Sequence, residues 1–159
     1  MRPPKVLVAA LLSVNSLQPV AAQGAAPLTS ADFVLAGIRP GSDSSVVRQR
    51  LGQPDSVHAA ENPLDTGSKL LTWIYPHLVI HFFSTNHVVG VWTKDPSVHT
   101  ARGLHVGDSA ERLRRLYGAP SGSFEDEWDY EDANQELHAI RVTVKNGRVT
   151  EIYVGSILD

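Results

Sequence analysis

The sequence predicts an α+β fold: two tandem helix-plus-three-strand repeats, forming an antiparallel sheet with the helices packed on one face. Three observations predict it. Residues 38–54 (IRPGSDSSVVRQRLGQP) and 104–120 (LHVGDSAERLRRLYGAP) spell one pattern twice, 66 positions apart. Gly41, Val47, Gly52 and Pro54 answer Gly107, Leu113, Gly118 and Pro120, and a Trp-x-Tyr follows each copy, Trp73 with Tyr75 and Trp128 with Tyr130. Short apolar runs broken by turn residues then follow each copy. Repetition at a fixed spacing marks one supersecondary unit used twice.

In chain order, Arg2 and Lys5 precede an apolar run, Val6–Leu17, and Val20-Ala21-Ala22 supplies small residues before Gln23. That layout is expected for a signal peptide over 1–22. The small, polar stretch 23–32 is expected to be a flexible leader. Repeat 1 then spans 33–94, a linker 95–103, and repeat 2 104–159.

Each repeat opens with a helix. Ala110, Leu113, Leu116 and Tyr117 share one helical face, as do Val47 and Leu51. Asp43 and Ser109 stand where a side-chain oxygen satisfies an orphan amide. Gly52 and Gly118 follow the last turn, and Pro54 and Pro120 prevent the helix from resuming. Strands are expected at Leu70–Tyr75, Leu78–Phe83 and Val88–Thr93, then at Glu127–Glu131, Leu137–Val144 and Arg148–Val154. Asn146-Gly147 is a type I′ hairpin signal, because both residues tolerate positive φ.

Composition narrows the class. The chain has 14 Lys+Arg against 17 Asp+Glu, a net charge of −3; losing Arg2 and Lys5 leaves 12 against 17, or −5. An acidic balance argues against nucleic acid as a partner. No later stretch is apolar enough to cross a membrane. There is no cysteine, hence no thiolate nucleophile, disulfide or lipidation site. The expected location is the periplasm or the medium, without a lipid anchor.

The pattern Ile38-x-x-Gly41, Val47, Gly52-x-Pro54 and Trp73-x-Tyr75 before a hairpin resembles the SmpA/OmlA (BamE-type) outer-membrane lipoprotein domain. Two such units in tandem are similar to the β-lactamase-inhibitor-protein (BLIP)-like fold, and the likeness covers most of 33–154. The first family assists β-barrel assembly; the second binds an enzyme across a concave sheet. The resemblance implies a binding role without catalysis.

Gly107-Asp108-Ser109 imitates an esterase nucleophile block, but no downstream Asp-x-x-His accompanies it, and a helix cap accounts for the serine. His77 and His81 stand ~13 Å apart along a strand, too far to share one ion. No metal site and no cofactor are expected. Residues 125–136 carry seven carboxylates around Trp128 and Tyr130. Alternation puts Glu127 and Asp129 on one face and the two aromatics on the other. The run LVIHFF is apolar on both faces of a strand, so it is either covered twice or partly exposed.

These features point to an exported, non-catalytic protein-binding module of the bacterial envelope, in a setting such as outer-membrane assembly. Its expected partner is another envelope or secreted protein, bound on the open sheet face through Phe82, Trp92, Glu127 and Asp129. Two alternatives stand beside it: a secreted inhibitor of a hydrolase (β-lactamase or protease), and a small serine hydrolase using Ser109 or His81. The sequence leaves the oligomeric state open.

Overall fold

The computed structural model describes residues 24–62, 67–83, 86–131 and 138–156. The expected signal peptide over 1–22 lies outside the described residues. Two short helices form where their caps dictate. Helix α1 (Ser44–Leu51) begins where the Asp43 carboxylate accepts the Ser45 amide at 2.7 Å. Helix α2 (Ala110–Tyr117) begins where Ser109 Oγ accepts the Arg112 amide at 3.2 Å. Each ends at a glycine of positive φ, +81° at Gly52 and +83° at Gly118, whose amide closes onto the Arg48 or Arg114 carbonyl. A side chain at such a φ would be strained, and the proline two residues on forbids another turn.

Four strands follow each helix. They are β1 (Ser56–Glu61), β2 (Lys69–Ile74), β3 (Val79–Phe83) and β4 (Val88–Thr93), then β5 (Gly122–Phe124), β6 (Glu127–Glu131), β7 (His138–Lys145) and β8 (Arg148–Ser156). All eight join one antiparallel sheet in the order β1-β2-β3-β4-β8-β7-β6-β5. This corrects the expected architecture of two tandem helix-plus-three-strand repeats: the described residues form mostly a single eight-stranded sheet with two short helices. The strands missed from the sequence, β1 and β5, are the two edges. An edge strand pairs on one side only, so SVHAAE and GSF carry neither alternation nor an apolar face.

The sequence pairs nonetheless occupy matched places. The Gly41 amide donates to the Val88 carbonyl at 2.7 Å, and the Gly107 amide to the Val149 carbonyl at 2.8 Å. The Arg48 guanidinium lies 4.7 Å from the Trp73 ring, and that of Arg114 lies 4.4 Å from the Trp128 ring. Val47 and Leu113, one from each helix, are fully buried in one cluster with Trp73, Ile80, Phe82, Val91, Tyr130, Ile140, Val142, Ile152 and Val154. Helices of eight residues do not persist alone, so this shared core holds them.

Two bulges explain where alternation failed in the sequence. His81 pairs with Gly90 and Phe82 with Val88, which leaves Val89 as the extra residue. Thr143 pairs with Glu151 and Val144 with Val149, which leaves Thr150. A bulge inserts one residue and resets the face of everything beyond it. Over its described residues, 24–32, the expected leader is contacted by Arg102. Arg102 donates to both Asp32 carboxylate oxygens (2.7 and 2.9 Å) and to the carbonyls of Ala26, Pro27 and Leu116. All five guanidinium donors face this one segment and the end of α2.

The two Trp-x-Tyr tyrosines differ in one respect. Tyr75 donates its hydroxyl to the Gly52 carbonyl at 3.2 Å, whereas the Tyr130 hydroxyl is buried with no partner among the described residues. Burial pushes the Tyr130 phenol up to about 12. A satisfied hydroxyl contributes ~1 kcal/mol, while an orphaned one carries a desolvation cost. Tyr75→Phe is therefore expected to lower unfolding stability by about 1 kcal/mol, and Tyr130→Phe to leave it unchanged or raise it. Urea denaturation of both variants measures the difference.

Candidate functional site

The face of the sheet away from the helices is built from register. Pairs across an antiparallel ladder share a face, so Ile74, Val79, Trp92, Tyr153, Arg141, Asp129 and Gly122 form one row crossing seven strands. The Trp92–Tyr153 pair sits at its centre, where the two halves meet. Both rings are half-buried.

Each central side chain is fixed by a neighbour. Trp92 Nε1 donates to Glu151 Oε2 at 3.1 Å. Lys94 Nζ lies 2.9 Å from the other Glu151 oxygen and 4.9 Å from the centre of the Trp92 ring. Tyr153 lies flat across the paired glycines Gly90 and Gly155 and donates its hydroxyl to the Ser156 carbonyl at 2.9 Å. A Cβ built on Gly90 would come within 2.3 Å of the Tyr153 hydroxyl oxygen, so the ring's position requires glycine there. Arg141 forks onto Asp129 (2.8 and 3.0 Å) and also lies 3.6 Å from Glu127.

The four residues expected to bind a partner are therefore placed differently. Trp92, Glu127 and Asp129 lie on this open face. Phe82 does not: it is 1% exposed and packs on Trp73 at 4.5 Å between ring centres, under the helices. That part of the expectation is corrected, because Leu78, Ile80 and Phe82 are the core side of LVIHFF. The open side carries Val79, His81 and Phe83, all half-buried. His81 lies 3.2 Å from the Thr72 hydroxyl, and burial pushes its imidazole below the usual histidine range. Sequence reasoning missed Tyr153, Arg141, Lys94 and Glu151. Their only signal was register, and the Trp92–Glu151 bond joins residues 59 positions apart on the paired strands β4 and β8.

Beside the row, where β2 and β4 end and β3 begins, Tyr75, His77, Val79, Trp92, Lys94 and Asp95 line a shallow cleft of about 350 Å³. His77 Nδ1 lies 2.7 Å from Asp95 Oδ2 across it. The Ser97 hydroxyl and amide hold the Asp95 carboxyl down to about 2, with His77 adding to the effect. Ser109, the serine of the esterase-like block, caps α2. Among the described residues, no cluster of three or more His, Asp or Glu is arranged to hold a metal ion. No described helix is long and apolar enough to cross a membrane.

No family model matches the chain, and no curated protein does. Among solved structures, it is similar to an extracellular protein containing an SCP domain from Bacillus anthracis, with TM-score 0.47 and 9% identity. That alignment covers 74% of this chain and 44% of the Bacillus chain, so this chain spans less than half of its length. It is also similar to the uncharacterised protein YfeY of Escherichia coli, with TM-score 0.46 and 11% identity over 84% of this chain and 96% of that one.

Two measurements check this geometry. Gly90→Ala is expected to cost ~1–3 kcal/mol by overpacking. The cost should shrink to well under ~1 kcal/mol in a Tyr153→Ala background, because the clashing ring is then gone. Asp95 has a folded pKa of about 2, below the ordinary aspartate value, so its stabilising contribution is complete above about pH 4 and fades as pH falls toward 2. Asp95→Asn should flatten the acid limb of the stability–pH curve in that window and leave its shape near neutrality alone.

Proposed function

We propose that the protein is an exported, non-catalytic binding module of the bacterial envelope. It presents the open face of its sheet to another envelope or secreted protein, in a setting such as outer-membrane assembly. One observation carries this reading: Trp92 and Tyr153 stand side by side at the centre of that face, half-exposed and already immobilised. Interfaces draw most of their energy from a few central aromatic anchors ringed by polar groups. An anchor held rigid before binding loses little entropy when it docks. Here Glu151, Lys94, Arg141, Asp129 and Glu127 form the polar surround.

The test places a photo-cross-linking residue at position 92, at 143 on the open face, or at 45 on the helical side. Adducts to a common protein from 92 and 143, with none from 45, are expected. With that partner in hand, Trp92→Ala should weaken binding by about 30-fold or more, the loss typical of a central anchor. Adducts from position 45 alone would sink the reading.

A further inference from the structure

The two edges of the sheet are not alike. Strand β5 has three residues and runs directly into Glu125 and Asp126. Short length and adjacent charge are how natural sheets blunt an edge against further pairing. Strand β1 is twice as long, and its charges, Asp55 and Glu61, stand at its two ends and not within it. It runs six residues, SVHAAE, in unbroken register with β2, and contains no lysine, arginine or proline. Glu61 sits opposite Lys69 on β2. Five of its six residues are exposed, and Val57, at 52% exposure, is one of three well-exposed large apolar side chains among the described residues, with Val46 and with Phe124 of β5. No described residue pairs with its outer side.

We propose that β1 is a docking edge for β1 of a second copy of this chain, giving a two-fold dimer with one continuous sheet. The protein already joins its halves in this manner, since the last strands of the two halves, β4 and β8, pair antiparallel at the centre. Register selects the geometry. A two-fold axis perpendicular to the sheet keeps each face continuous only if each residue pairs with one an even number of positions away. Centring the axis on His58 sets Asp55 opposite Glu61 of the second copy, a like-charge pair at both ends. Centring it on Ala59 avoids this: Ala59 meets Ala59, Val57 meets Glu61, and His58 meets Ala60. One open edge and one blunted edge give closure, because a dimer formed through β1 leaves only β5 edges outside. This interface lies at the rim of the sheet and does not depend on what the open face binds.

The chain contains no cysteine, which makes the experiment clean. The full chain is examined by sedimentation equilibrium as wild type and as Ala59→Lys, which opposes two ammonium groups across the axis. Single-cysteine variants Ala59→Cys and Ser123→Cys are oxidised in parallel, with far-UV circular dichroism verifying each fold. Expected are a wild-type dimer, a monomeric Ala59→Lys, cross-linking through position 59 and none through 123. The proposal is overturned by a monomeric wild type, by a folded Ala59→Lys that still dimerises, by failure of Ala59→Cys to cross-link, or by cross-linking through Ser123→Cys. The cysteine arm decides the matter even if the lysine variant does not fold.

Discussion

The seam between β4 and β8 is the constraint on which the other features depend. Gly90 pairs with Gly155, Val91 with Val154, Trp92 with Tyr153 and Thr93 with Ile152. On the helical side, Val91, Val154 and Ile152 are fully buried and make the cores of the two halves continuous. A four-stranded half with one eight-residue helix has little apolar surface to bury, and small domains are marginal for that reason. On the other side, the glycine pair clears the space in which Tyr153 lies flat. One run of backbone pairing therefore both completes the core and positions the central aromatics of the open face.

That double role explains what the sequence disclosed and what it withheld. Punctuation was legible, because caps and stops are local. Asp43, Ser109, Gly52 and Gly118 do in the structure what short-range chemistry requires of them. Five of the six expected strands lie within a residue at each end of the observed ones, since apolar runs with β-branched residues mark strands with two paired sides. The edges were invisible for the converse reason: β1 and β5 are exposed and pair once, so burial does not constrain their sequences. The bulges at Val89 and Thr150 were visible only as failed alternation.

The candidate site was partly legible by the same logic. Alternation assigned Glu127 and Asp129 correctly to the face opposite Trp128 and Tyr130. It also separated Phe82 from His81, but nothing in the sequence said which side of LVIHFF the helices cover. Trp73 settles that, by packing on Phe82 beneath Arg48. Tyr153 and Arg141 entered the row through pairings between strands far apart in sequence, which period alone does not reveal.

Under the proposed binding role, the charges on the open face bear on which partner it would select. A bare strip of carboxylates would call for a basic surface. Asp129, however, is already gripped by both arms of Arg141, and Glu151 already serves Trp92 and Lys94. A partner that took these carboxylates for itself would have to break charge-assisted hydrogen bonds, and each lost bond of that kind costs ~1.5–3 kcal/mol. Ionic replacement is therefore a poor source of affinity here. In the proposed role the face would gain more by leaving the network intact and covering Val79, Trp92 and Tyr153 with apolar surface, the surrounding charges orienting an incoming protein while the rings hold it.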